Sequence, residues 1–142
     1  MKFNPGDTAE ITKTIEQADV DAFAAVTGDH NPIHVDEAFA KTTRFGRRIA
    51  HGMLTASLIS SVLANKLPGE GSVYLGQTLK FVAPVFPGDE ITARVTVTEI
   101  REDKPIVKLD TVCVNQRGET VIRGEATVVI HRLHRLHRKE SA

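Results

Sequence analysis

The chain has one cysteine, Cys113, one tyrosine and no tryptophan. A lone cysteine excludes an intrachain disulfide and a cysteine-rich zinc site. Charge of one sign is lacking too: 18 Lys plus Arg face 18 Asp plus Glu, a formal net charge of zero with His neutral. That balance removes the global electrostatic reason to expect nucleic acid or an anionic membrane as a partner. No apolar run is long enough to span a bilayer, and the N-terminus lacks the apolar core of a signal peptide, so a cytoplasmic protein is expected. Internal repeats and low-complexity linkers are missing as well. What remains is 142 residues, 41% of them hydrophobic, enough for one domain with a core of its own.

The apolar pattern changes character along the chain. Asn4-Pro5-Gly6-Asp7 reads as a turn and Thr8 to Thr14 as a short strand. Thr14-Ile15-Glu16-Gln17 fits a capping box, which starts a helix with Val20, Phe23, Ala24 and Thr27 at helical spacing. Gly28 ends it, and Asp36 to Lys41 reads as a further helical turn. From Gly52 through Lys66 the chain is apolar on most of a helical circumference, the mark of a buried helix, and Pro68-Gly69 terminates it. Strands follow: Val73 to Val82, Ile91 to Thr98 in strict alternation, Ile106 to Val114, and Thr120 to Ile130. Gly124, on the apolar face of the last one, marks a bulge or a close approach. The expected class is α+β, an antiparallel sheet wrapped around one long helix. A one-sided sheet with free edges suggests a homodimer. Residues 131–142, His131-Arg132-Leu133-His134-Arg135-Leu136-His137-Arg138-Lys139 and on, read as a basic, frayed tail beyond a domain covering 1–130. His131, His134 and His137 recur every three residues, but without carboxylates or cysteines in a rigid frame they read as solvated and no metal is expected.

The stretch Gly28-Asp29-His30-Asn31-Pro32-Ile33-His34 stands between the two helical segments. Pro32 has no amide hydrogen and pushes Asn31 towards an extended backbone, so an irregular loop is expected on which Asp29 and His34 converge. Taken alone, the pair reads more commonly as an Asx-turn and a satisfied loop histidine. His30 reads as exposed, and His51 as structural at the start of the long helix.

Together with Phe23 before it and Ala40 after it, this stretch resembles the motif of R-specific enoyl-CoA hydratases of the MaoC-like, hot-dog-fold family. Arg48-Ile49-Ala50-His51-Gly52-Met53-Leu54, Tyr74-Leu75-Gly76-Gln77 and Pro84-Val85-Phe86-Pro87-Gly88-Asp89-Glu90 carry the same likeness, which covers about Asn4 to Ile130. The resemblance implies a single hot-dog domain that adds water reversibly, with syn geometry, to a short- to medium-chain trans-2-enoyl-CoA. It needs no cofactor, and a link to fatty-acid or polyhydroxyalkanoate metabolism is implied. Asp29 and His34 would divide the proton transfers, His34 taking a proton from water and Asp29 delivering one to the α-carbon, the reverse assignment staying open. A protonated Asp29 near neutral pH would require burial. Gly52 would stabilise the thioester oxygen through its backbone N–H at the positive end of the buried helix. Ser60, about 12 Å further along by helix rise, matches a family serine that supports the aspartate. Asn31 of the motif, Arg44, Arg47, Arg48 and Leu63 complete the candidate substrate-binding set. The three arginines read either as contacts for the CoA phosphates or as a solvated face, and Leu63 either as acyl-pocket lining or as core. A thioesterase and a non-catalytic acyl-CoA-binding module are the competing readings.

Overall fold

A computed structural model describes residues 3–131. The tail expected over 131–142, with His134 and His137, lies outside the described residues except for His131. In chain order the elements are β1 (Thr8–Thr14), α1 (Gln17–Thr27), α2 (Pro32–Val35), α3 (Glu37–Ala40), α4 (Gly52–Asn65), β2 (Ser72–Gln77), β3 (Lys80–Phe81), β4 (Glu90–Ile100), β5 (Ile106–Val114) and β6 (Thr120–Ile130). The strands form one antiparallel sheet in the order β1-β4-β5-β6-β2, with β3 also paired to β6. This is the α+β arrangement expected, one sheet around one long helix.

Alternation decides which face of the sheet meets α4. Ile91, Ala93, Val95 and Val97 of β4, Val107, Leu109 and Cys113 of β5, and Ile122, Ala126 and Val128 of β6 are buried in one cluster. Thr92, Arg94 and Thr96 point to the other face, where Thr12 bonds Thr92 across strands at 2.9 Å and Arg94 pairs with Glu10 at 2.8 Å. α4 contributes Thr55, Ala56, Leu58, Ile59, Val62 and Leu63 to the core. Fully burying each large aliphatic side chain is worth roughly 1.5–3 kcal/mol, so this face holds α4 far more firmly than any single hydrogen bond does. The helix is buried on this side only: Met53, Ser57, Ser60 and Ala64 form an exposed stripe on the other. Cys113 lies in the core, where burial pushes its thiol up to about 12, so it is an inert packing residue.

Three local expectations change. The first helix starts later than Thr14, because Ile15 stays extended: its N–H donates to Asp89 O at 2.9 Å and its C=O accepts from Gly88 N at 2.7 Å. The capping exchange moves to Glu16, whose N–H donates to Asp19 Oδ2 at 2.8 Å. Pro32 does not exclude a helix. It occupies the first position of α2, where no amide hydrogen is needed, and Asn31 caps the turn through Oδ1 to Ile33 N at 3.3 Å. Finally, the single strand expected over Val73–Val82 is split into β2 and β3 at Thr78.

The split has a cause in Gly124 of β6. A Cβ built on Gly124 would stand 1.8 Å from Thr78 O, so the chain crosses there only because that position has no side chain. The crossing is held by Thr78 N to Glu125 O at 2.9 Å and Glu125 N to Thr78 Oγ1 at 2.9 Å. Gly124→Ala is therefore expected to destabilise the domain by about 3 kcal/mol, the upper end for overpacking, read as a lower urea midpoint. Thr78→Ala, which keeps the backbone crossing, should cost about 1 kcal/mol.

Candidate active site

The stretch after α1 is held by its own short-range bonds. Gly28 takes a left-handed conformation (φ 80°) and its N–H donates to Ala24 O at 2.8 Å, which turns the chain sharply off the helix. Asp29 N donates to Thr27 Oγ1 at 3.2 Å and Asp29 Oδ1 accepts from Asn31 N at 3.3 Å. α2 then presents His34 towards α4. Ile49 N donates to Ile33 O at 3.2 Å, and Gln17 Nε2 donates to His34 O at 3.1 Å, docking α2 on both sides.

His34 is half-buried, and its Nδ1 lies 2.8 Å from Ile49 O. A carbonyl oxygen only accepts, so Nδ1 carries the hydrogen and Nε2 keeps its lone pair. Burial holds the imidazole below its usual 6.5; the Ile49 carbonyl pulls it up, His51 pushes it down and Asp29 pulls it up, in decreasing order of effect. Burial wins. The neutral imidazole with a free Nε2 is thus the form favoured at neutral pH, and that form can accept a proton.

Asp29, His34 and His51 bring a carboxylate oxygen and ring nitrogens within 4.8 Å of one another. His51 is buried, stacks on His34 with ring centroids 3.9 Å apart, and has Nε2 3.0 Å from Asp29 O. Such a trio has the donor types to hold a metal ion, but one nitrogen of each ring already faces a backbone carbonyl. The Asp29 carboxyl group, His34 Nε2 and the buried, unpartnered Nδ1 of His51 are left, and the first two suit a water molecule shared between an acid and a base.

Gly52 is the first residue of α4, where the helix supplies no partner for the amide hydrogen. It lines the same cleft as His34, with Arg44, Phe45, Ile49, Met53, Thr55 and Phe81 among the other walls, in a volume of about 430 Å³. A Cβ on Gly52 would meet the Phe81 ring at 2.6 Å, so that ring packs where a side chain at position 52 would stand. The developing negative oxygen of an acyl thioester would find here an unpaired N–H and the positive end of a fourteen-residue helix.

The other candidate positions separate. Arg44 lines the cleft, its guanidinium 4.8 Å from the Phe45 ring centroid. Arg47 lies over Phe86 at 4.0 Å, and Arg48 is tied to Glu37 at 2.8 Å. Asn31 spends its side-chain oxygen on capping α2. Leu63 is 3% exposed in the core and is not among the walls of the cleft. Ser60 sits on the exposed stripe of α4 and lines a second groove of about 400 Å³ with Met53, Ser57, Tyr74 and Leu75. His30 is exposed. Residue reading missed Ile49, which acts through its backbone carbonyl, and Phe81, remote in sequence; neither carries a side-chain signal for these roles.

A family model described as "MaoC like domain" matches residues 4–120. The chain belongs to the MaoC-like domain family. An (R)-specific enoyl-CoA hydratase of Aeromonas caviae is 54% identical over 123 residues, 87% of this chain and 92% of that protein. An (R)-specific enoyl-CoA hydratase of Rhodospirillum rubrum is 50% identical over 125 residues, 88% of this chain and 86% of that one. Among solved structures, the (R)-hydratase from A. caviae involved in PHA biosynthesis superposes with a TM-score of 0.89 at 52% identity, covering 91% of this chain and 98% of that one. The MaoC-like chain thus shares its hot-dog fold with these relatives.

The lowered titration of His34 has a thermodynamic consequence. Between its folded value and 6.5 the unfolded chain binds more protons than the folded one, so stability rises with pH across that interval. The contribution is complete above pH 6.5 and lost as pH falls through the folded value. An NMR titration of the His34 ring should give a midpoint below 6.5, and the urea midpoint should fall on acidification through the same window. His34→Phe should flatten that part of the profile.

Proposed function

We propose that this protein catalyses the reversible syn hydration of a trans-2-enoyl-CoA to the (R)-3-hydroxyacyl-CoA. The observation that carries the reading is the free Nε2 of His34 beside the Asp29 carboxylate in a cleft that also holds the Gly52 amide. The (R)-specific hydratases similar to it over nearly their whole length support the same reaction and an acyl-CoA substrate. His34 Nε2 removes a proton from water as the oxygen bonds to C3. The electron pair of the C2–C3 double bond moves into the thioester, and its oxygen is stabilised by Gly52 N–H. Asp29, which enters the cycle as the carboxylic acid, then delivers its proton to C2 on the face that water attacked. The proton held by His34 returns to Asp29 before the next cycle, so atoms and charge balance with no change of oxidation state. A cleft of about 430 Å³ fits a short- to medium-chain acyl group. Arg44 and Arg47, exposed beside it, meet the CoA phosphates.

Two copies of the chain form the working unit. Asp29 is exposed in the single protomer, although delivering a proton to carbon calls for a sheltered carboxyl. Next to the cleft, β2 is an edge strand with Val73 47%, Tyr74 39% and Leu75 58% exposed, and Met53 of the open α4 stripe is 56% exposed. Pairing of two β2 edges would cover this apolar surface and close the groove beside Ser60. No helix among the described residues is long and apolar enough to cross a membrane, and we assign the enzyme to the cytoplasm with its CoA thioesters.

Crotonyl-CoA tests the chemistry in one cuvette. Hydration removes the conjugated enoyl-thioester absorbance without releasing thiol, hydrolysis releases thiol, and a binding module does neither. Asp29→Asn and His34→Gln should each lower kcat by about 10²–10⁴-fold, the usual weight of a general acid or base; normal turnover in both folded variants would eliminate the dyad. Light scattering should give twice the chain mass, and Leu75→Lys, which buries a charge at the paired edge, should shift it to the monomer. A parent protein that runs as a monomer would refute the pairing.

A further inference from the structure

We infer that His51 is the positioning residue of the site, setting where Asp29 and His34 stand relative to each other and to Gly52; this rests on the proposed hydration. His51 is 2% exposed, and three contacts converge on its ring. Its Nε2 lies 3.0 Å from Asp29 O, one face stacks on His34 at 3.9 Å and 29°, and Phe23 packs at 4.8 Å and 50°. Because a carbonyl only accepts, Nε2 carries the hydrogen and donates it. Nδ1 is consequently the lone-pair nitrogen, and it is buried with no partner.

An aromatic hydrocarbon would fill the same space and stack on the same rings without leaving a buried nitrogen unpaired. What the histidine adds is the N–H to Asp29. That bond matters because the other hydrogen bonds of Asp29 are local: N–H to Thr27 and Oδ1 from Asn31, both within the same turn. The bond to His51 reaches 22 residues along the chain to the buried start of α4. His51 is also the residue immediately before Gly52. One rigid, core-anchored ring therefore fixes the acid through a backbone bond, the base through stacking, and the oxyanion amide through the chain itself. A displacement of about 1 Å in such a constellation can cost about 10²-fold in rate.

Two variants of the full chain separate positioning from packing. His51→Phe keeps a flat ring and loses the donor, whereas His51→Gln carries an N–H able to reach Asp29 O. Hydration of crotonyl-CoA is measured alongside amide hydrogen exchange over residues 28–34, which needs no turnover. In His51→Phe kcat should fall about 10²-fold with KM within about threefold of the parent. Exchange in the Asp29 turn should accelerate about tenfold. His51→Gln should keep at least about a tenth of the parental kcat, with exchange near the parent's. A His51→Phe protein with kcat within about threefold of the parent and unchanged exchange overturns the inference. If His51→Phe does not fold, His51→Gln decides: retained turnover supports the role, and a loss of about 10²-fold or more overturns it. A parent protein that fails to hydrate crotonyl-CoA refutes the hydratase reading, and the exchange pattern then decides the role of His51 by itself.

Discussion

Everything in the site refers back to the burial of one face of α4. Thr55, Ile59, Val62 and Leu63 seat the helix against the inner face of β4, β5 and β6, and that packing determines where Gly52 and His51 lie. Hydrogen bonds alone would not hold such a position, since each nets only about 0.5–1.5 kcal/mol against competing water. Apolar burial does the coarse placement. The bonds from His34 Nδ1 to Ile49 O and from His51 Nε2 to Asp29 O then choose ring orientation and tautomer. The divergence is sensible: a helix end fixed by its buried turns can carry unpaired amides in the open without losing its place.

The electrostatic balance at His34 follows from the same packing. Asp29 and the Ile49 carbonyl both favour the charged imidazole, yet burial outweighs them, one face of the ring being stacked on His51 at the start of α4. A base that is neutral near neutral pH is what proton removal from water needs. Asp29 has the opposite surroundings, exposed at the turn, and the open apolar edge of β2 and the bare stripe of α4 lie beside the same region.

Several features were legible directly. Alternation in β4 and the long apolar run of α4 reported their own burial, because side chains on a strand or helix repeat with the backbone period. The motif from Gly28 to His34 pointed at the two side chains that do meet. Local rules misled in places where distant chain intervened. Thr14 looked like a cap, but the Pro87–Asp89 turn kept Ile15 extended. Pro32 looked like a helix breaker, although it begins a short helix where its missing hydrogen costs nothing. Val73 to Val82 looked continuous, and the crossing over Gly124 divides it. His51 reads as structural from the sequence, and the fold does bury its ring, between His34 and Phe23.

By itself, then, the sequence determined the class of fold, the buried helix and the family, and it pointed to Asp29 and His34, all of which depend on residue type and short-range period. Only the tertiary structure decided the tautomer of His34, the bond from His51 to Asp29, the closure of Phe81 over Gly52 and the removal of Leu63 and Ser60 from the cleft around His34. Those are meetings between groups far apart in the chain, several of them backbone atoms common to every residue type, and no local pattern can announce a partner that lies on another element.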